Sequence, residues 1–114
     1  MIVIKYSLAE RIKAELLIAS TLIEALLNFE ETEYLGAKKL FLYYLNQIMR
    51  EFTLAYQVTQ DKRFSDCEPI LDSIKKAIEE EKLSFANQNT GLALSKITTI
   101  CQETNSLLQK QGLI

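Results

Sequence analysis

Carboxylates are the side chains in this sequence that could perform acid–base or metal chemistry, because the chain contains no histidine. Without histidine, a ferritin-like di-iron site built on Glu-x-x-His, haem ligation through His and a His-based triad are excluded. The three glycines stand alone, so a glycine-rich phosphate loop is excluded as well. Any catalytic chemistry would therefore depend on Asp and Glu.

Acidic pairs one turn apart on neighbouring helices are the pattern with which helical nucleotide pyrophosphatases bind Mg²⁺, a cation that prefers hard oxygen ligands. The acidic residues nearest to that pattern lie in two groups: Glu24, Glu31 and Glu33, then Glu68 and Asp72. The match is poor, since no EExxE run is present and the first group falls near an expected turn. We interpret these residues as solvated surface and keep a Mg²⁺-dependent nucleotide pyrophosphohydrolase as the alternative function.

A second enzyme class, the small helical mutases that act on dicarboxylates, needs several cations converging inside a bundle. The residues that could meet in this way are Arg11, Lys39, Arg50, Glu51 and Gln88. Only three arginines exist, and Arg50 projects onto a polar stripe, so surface ion pairing is the preferred interpretation.

Glu51 is a separate case, because helical projection puts it at the edge of an apolar arc beside Tyr44. A carboxylate in that position is either paired at a subunit interface or has a raised pKa. A third possibility is that it reaches solvent at the margin of the helix.

Charge, cysteine content and hydropathy restrict the partners. Thirteen basic and fifteen acidic residues give a net charge of −2, which argues against a broad nucleic-acid-binding surface. Cys67 and Cys101 are too far apart for a CxxC redox pair or a zinc site. The uncharged stretch between Glu15 and Glu24 is far shorter than the ~20 residues of a membrane span, and no signal-peptide pattern is evident. We expect a cytoplasmic protein with no membrane segment, metal or cofactor.

Helices are the elements that must position these side chains. Apolar residues make up 48% of the chain, with one Pro and three Gly, so long loops are not expected. The pattern predicts one all-α domain over 1–114, an antiparallel four-helix bundle of two helical hairpins, with helices at 7–29, 32–60, 67–83 and 86–111. When the first half of the sequence is shifted by 52 residues onto the second half, the two hairpins align weakly. Shared heptad-like patterning explains this similarity at least as well as an internal duplication does.

Capping signals predict where the helices begin. Ser7 and Glu10 form a capping-box pattern at the start of helix 1, and Thr32 is the expected cap of helix 2. The sequence leaves open whether residues 1–6 form an extended arm or a first helical turn. Residues 60–66 are predicted to be a loop that Phe64 attaches to the core.

Helix 2 is apolar around most of its circumference and carries only a narrow polar stripe, so it needs cover on several sides. Gly36 either permits close approach to helix 1 or marks a later start of helix 2. Tyrosine and methionine enrichment is typical of protein interfaces, whereas base stacking would need more basic neighbours. We predict a non-enzymatic interaction or assembly subunit that forms a homodimer or binds a helical partner, with interface residues Leu40, Tyr43, Tyr44, Glu51, Leu54, Tyr56 and Val58.

Overall fold

The structure, a computed structural model that describes all 114 residues, contains helices and no strands. Helix α1 spans Ile2–Leu26, α2 Glu31–Thr59, α3 Lys62–Ser65, α4 Glu68–Glu79 and α5 Leu83–Lys110. Helix α3 is a single turn, and the other four form the predicted bundle, in which α1 and α4 each pack against both α2 and α5. The bundle measures 52 × 22 × 19 Å. None of its helices combines the length and the apolar character needed to cross a bilayer.

The core lies along the axis of the bundle and contains the residues that carried the helical periodicity. On α1 the buried apolar residues recur at alternating spacings of four and three residues. They include Ile12, Leu16, Ala19, Ile23 and Leu26. Phe41, Ile48 and Phe52 of α2 are also buried, and Ile97 and Ile100 of α5 belong to the same cluster. Burial of these faces is the main source of helix stability, since isolated helices of this kind are marginal in water.

The predicted helix starts at Ser7 and Thr32 are wrong. Helix α1 begins at Ile2, so Ser7 lies inside it, and the first turn is held by an ion pair between Lys5 Nζ and Asp61 Oδ2 at 3.1 Å. Helix α2 begins at Glu31, and its N-cap residue Glu30 makes no side-chain cap hydrogen bond. In α1 this tertiary contact of the first turn overrides the local capping pattern.

The predicted loop at 60–66 contains the one-turn helix α3. The Asp61 carboxylate accepts a hydrogen bond from the Arg63 backbone N–H at 3.0 Å and so caps this turn. Phe64 is fully buried, as expected of the residue that attaches this segment to the core. Gln60 takes a left-handed conformation with φ of 57°, which ends α2 and turns the chain.

Neither explanation predicted for Gly36 is correct. Helix α2 begins five residues before it, and a Cβ built at Gly36 would have no atom within 4 Å. Gly91 of α5 is equally free of neighbours. Both glycines are exposed inside helices, where glycine lowers stability by about 1 kcal/mol relative to alanine. Contacts within the chain therefore do not explain why a glycine occupies either position.

Candidate functional site

The outer junction of α1 and α2 concentrates large exposed apolar side chains. Helical spacing of about 100° per residue places them on the sides of the two helices that border each other. They are Ile4, Ile18, Leu22 and Phe29 from α1 and the turn after it, and Leu40, Tyr43, Leu54 and Val58 from α2. We call this surface the α1/α2 face. Large exposed apolar side chains gathered on one surface are typical of a protein–protein interaction site.

One end of the α1/α2 face contains an apolar groove of about 380 Å³. Every residue that lines it is hydrophobic, namely Leu22, Ala25, Leu26, Phe29, Ala37, Leu40, Phe41 and Tyr44. On the same surface, Leu40 and Tyr43 are 70% and 64% exposed. The face therefore carries both an apolar recess and projecting apolar side chains.

Between its two apolar ends, the α1/α2 face carries a group of ionisable side chains, Arg11, Glu15, Tyr44 and Glu51, which we call the central cluster. The Arg11 Nε atom lies 2.7 Å from Glu51 Oε1 and 3.6 Å from Glu15 Oε1. The Tyr44 hydroxyl donates to the backbone carbonyl of Glu15 at 3.3 Å. The Glu15 and Glu51 side chains are only 19% and 18% exposed, so two carboxyl groups share one guanidinium in a mostly covered position.

Two carboxyl oxygens of the central cluster have no hydrogen-bond donor. Glu15 Oε1 and Glu51 Oε2 are buried and accept no hydrogen bond. Burial, a hydrogen bond with the Glu51 carboxyl and the charge of Glu51 together raise the pKa of Glu15 to about 7, against the opposing effect of Arg11. Burial and the two carboxylates also raise the pKa of Tyr44. The pair therefore holds one proton up to about neutral pH.

The structure brings together six of the seven residues predicted from the sequence as an interface. Leu40, Tyr44, Glu51 and Val58 project from the side of α2 that borders α1, with Tyr44 and Glu51 half-buried, whereas Tyr43 and Leu54 point further outward and Tyr43 lines a depression with Gln47 and Arg50. Tyr56 is separate, because it is half-buried and packs against the core. Glu51 is paired within its own chain, to Arg11.

The acidic residues considered as Mg²⁺ ligands lie far apart. Glu31 and Glu33 are in the first turn of α2, whereas Glu68 and Asp72 belong to α4, which begins near the other end of α2. The 29 residues of α2 separate these positions along the bundle axis by roughly 40 Å at 1.5 Å per residue. No group of three His, Cys, Asp or Glu side chains in the chain could hold a metal ion.

The residues considered for a dicarboxylate site do not converge either. Arg11 and Glu51 meet in the central cluster. Lys39 and Arg50 are exposed on the outer side of α2, and Gln88 is exposed on α5. A single accessible guanidinium beside two carboxyl groups repels a dicarboxylate rather than binding it.

A second group of ionisable side chains, Lys5, Asp61, Arg63 and Glu103, lies at one end of the bundle, and we call it the end cluster. Arg63 Nη2 lies 2.6 Å from Asp61 Oδ2, and Arg63 Nη1 lies 2.7 Å from Glu103 Oε2. Lys5 completes the group by pairing with Asp61. Hydrogen bonds from Arg63 hold the pKa of Asp61 well below its usual range. Its two cations and two anions are mutually satisfied, so the end cluster is structural.

The largest depression on the molecule, about 760 Å³, lies where the α4–α5 turn meets the end of α1. Its charged lining residues have both signs, and all of them except the exposed Lys76 are engaged in ion pairs. Glu81 binds Lys38 at 2.5 Å and the hydroxyl of Tyr34, and Lys82 pairs with Glu80 at 3.2 Å. Charges that are neutralised within the chain do not converge on a ligand.

Cys67 and Cys101 are free and buried. Burial raises the pKa of each thiol to about 11. A buried thiol that stays protonated is a poor nucleophile and a poor metal ligand, so both cysteines act as small core residues.

Sequence reasoning missed Glu15 and the α1 half of the α1/α2 face. Arg11 and Glu15 are four residues apart, which indicates a pair on one side of a helix. Glu15 also directly precedes the buried Leu16, so a position beside the apolar seam could be inferred. Ile18 and Leu22 were not assigned to an interface because attention to exposed apolar residues was confined to helix 2.

Comparisons with protein-family models, with curated proteins and with solved structures find no significant match to this chain.

Proposed function

We propose that this protein is a non-enzymatic, self-associating subunit in which the α1/α2 face of one copy packs against the same face of a second copy. The observation that carries the proposal is the pair of exposed apolar patches along α1 and α2, one on each side of the central cluster. Because α1 and α2 are already covered by α4 and α5 on their inner sides, the exposed surface is additional to the core of the monomer.

Self-complementarity supports a second copy as the partner. In a twofold dimer the same patch is used twice, so a projecting group must find a recess elsewhere on that patch. The α1/α2 face meets this condition, since the exposed Tyr43 is next to the groove that Leu22, Phe29 and Leu40 help to line. Tyrosine and leucine side chains in such a groove exclude water at the centre of an interface.

The size of the face also supports a dimer. At 1.5 Å per residue, the 25 residues of α1 extend about 37 Å. Two adjacent helices give a surface roughly 20 Å wide. The resulting area of roughly 700 Å² per copy is close to the ~800 Å² that each partner contributes to a standard stable interface.

Gly36 adds an independent argument, because it lies on the α1 side of α2 near Leu40 and contacts nothing within its own chain. A glycine at a helix surface lets a second helix approach closely. An approaching α1 or α2 of another copy would account for a residue that destabilises the monomer.

The test is the mass of the protein in solution at micromolar concentration and pH 6, measured by light scattering and sedimentation velocity. Wild type is expected to be a dimer, and Leu40→Glu is expected to be a monomer with an unchanged circular dichroism spectrum. Leu92→Glu is the matched control, since Leu92 is an exposed leucine on α5, and it should remain dimeric. A monomeric wild type, or equal effects of the two substitutions, would refute the proposal.

A further inference from the structure

We infer that the central cluster couples self-association to protons: the Glu15–Glu51 carboxyl pair retains one proton when the α1/α2 face is buried, so acidification tightens the dimer. This inference rests on the proposed function, because it concerns the regulation of the same face.

The geometry of the cluster carries the inference. Two carboxyl groups lie within reach of the single Arg11 Nε atom, and one oxygen of each is buried without a donor. A proton on Glu15 supplies the missing donor and allows the two carboxyl groups to hydrogen-bond. Without that proton, like charges lie side by side and buried oxygens stay unsatisfied.

The charge balance gives the direction of the effect. With one proton on the pair, Arg11 neutralises the remaining carboxylate, and the cluster carries no net charge. Without the proton it has a net charge of −1. Arg11 is 71% exposed in the single chain, so solvent reaches this side of the cluster. A partner would exclude that solvent, and burying an uncompensated charge at an interface is unfavourable.

Few other groups act on Glu15. Arg11 comes from its own helix, and Glu51 and Tyr44 come from α2. Helix α5 packs against the other side of α1, and none of its charges acts on Glu15. The raised pKa of Glu15, about 7, agrees with the geometry and places the transition near neutral pH. The proton equilibrium therefore depends on a small set of residues that can be changed individually.

The experiment measures the dimer dissociation constant by sedimentation equilibrium at pH 6 and at pH 8, on either side of the Glu15 pKa. Loss of one coupled proton per copy changes the dissociation constant by up to about tenfold per pH unit for each proton. We expect wild type to dissociate at least about tenfold more readily at pH 8. Glu15→Gln should dimerise equally well at both pH values, because the amide supplies a donor and adds no charge.

Glu103→Gln is the matched control, since it makes the same chemical change in the end cluster, away from the α1/α2 face. It should keep the wild-type pH dependence. The monomeric Leu40→Glu variant provides a second readout, because carbon-detected NMR can follow the Glu15 carboxyl in the single chain, where its pKa should be lower than in the wild-type dimer.

The outcomes separate the two proposals. A wild-type dimer with the same dissociation constant at both pH values, or a Glu15→Gln variant that retains the wild-type dependence, would overturn the coupling and leave the dimer standing. A wild type that is monomeric at both pH values would overturn the proposed function and, with it, the coupling.

Discussion

The end cluster and the central cluster use the same types of side chain with opposite consequences. In the end cluster, Arg63 and Lys5 surround Asp61, and hydrogen bonds from Arg63 keep the pKa of that carboxyl well below its usual range. In the central cluster, a single arginine serves two carboxyl groups, and burial raises the pKa of Glu15 to about 7. The number of cations per buried carboxylate, rather than burial alone, decides whether a cluster stabilises its charges.

The two clusters also differ in what surrounds them. The end cluster joins α1, the α2–α3 turn and α5, so its members are all supplied by one chain. The central cluster lies on an apolar surface, and two of its buried oxygens have no donor in that chain. An incomplete set of partners on an uncovered surface is what we expect where a protein meets another molecule.

Removing Arg63, one of the two cations of the end cluster, should have the largest effect on the free energy of unfolding. In Arg63→Met, Asp61 retains only Lys5 as a charged partner, although its side chain is just 10% exposed. We expect the free energy of unfolding to decrease by about 2–4 kcal/mol, because the mostly covered Asp61 carboxylate loses one of its two cations and its hydrogen bonds from the Arg63 guanidinium. Urea denaturation at pH 7 measures the change. Lys96→Met, at an exposed lysine on α5, is the control, and an equal effect of both substitutions would contradict the structural role of the cluster.

As the pH rises, Glu15 of the central cluster and Asp61 of the end cluster should change the free energy of unfolding in opposite directions. Glu15 has an ordinary pKa of 4.5 when unfolded and about 7 when folded, so the folded state binds more protons between these values. In the monomeric Leu40→Glu background, the free energy of unfolding should therefore fall by about 3 kcal/mol as the pH rises from 4.5 to 7, and the loss should be complete above pH 7.

The end cluster acts in the other direction. The folded-state pKa of Asp61 is depressed below the ordinary value of 3.8, so its contribution is present above that value and is lost as the pH falls below it. Thermal unfolding across this range, with Glu15→Gln and Asp61→Asn in parallel, separates the two. Glu15→Gln should be flat between pH 4.5 and 7. A wild-type slope in that variant would contradict the assignment.

Removing the cation of the central cluster should have a smaller effect than removing Arg63. Arg11 is largely exposed, and exposed ion pairs contribute about 1 kcal/mol or less. We expect Arg11→Met to lower the free energy of unfolding by about 1 kcal/mol at pH 8 and by less at pH 6, where a proton replaces the missing positive charge. Denaturant titrations at the two pH values measure this difference. A loss as large as that of Arg63→Met would remove the contrast between the clusters.

The smallest effect should come from the two exposed glycines. Gly36→Ala and Gly91→Ala should each raise the free energy of unfolding of the monomer by up to about 1 kcal/mol, because neither new methyl group has a neighbour within 4 Å. Gly36 alone lies on the α1/α2 face, so only Gly36→Ala should weaken the dimer. The Leu40→Glu background allows the monomer stability to be measured separately. Equal dimer affinities for the two alanine variants would argue against close approach at Gly36.

Helical periodicity was sufficient to predict the bundle and much of its core, as the buried Ile12, Leu16 and Ile23 show. Phe64 could be identified as a core residue because it is the one large apolar side chain in the polar segment 60–66. The helix starts were wrong because capping patterns are local, whereas the first turn of α1 is held by Lys5 bonding to Asp61 on another element. No pattern confined to residues 1–10 contains that information.

The candidate surface was predicted in part. Most of the α2 side chains could be assigned from the excess of apolar residues on that helix, but Tyr56 could not be distinguished from them without knowing where α4 lies. Glu15 could not be identified as the partner of Glu51, because the register between α1 and α2 decides which turns meet. The sequence contains both carboxylates, and the distance between them follows from the fold.

The end cluster has a topological consequence. It ties Lys5, near the first residue of the chain, to Asp61 in the middle and, through Arg63, to Glu103 near the last helical turns. The first and last helices are neighbours in space although they are most distant in sequence. The four long helices thus form a closed cycle, and a peptide linking residue 114 to residue 1 would join two neighbouring helices, as the existing turns do. A circular permutant opened in the turn after α1 should retain the bundle, with the α1/α2 face then joined by packing alone.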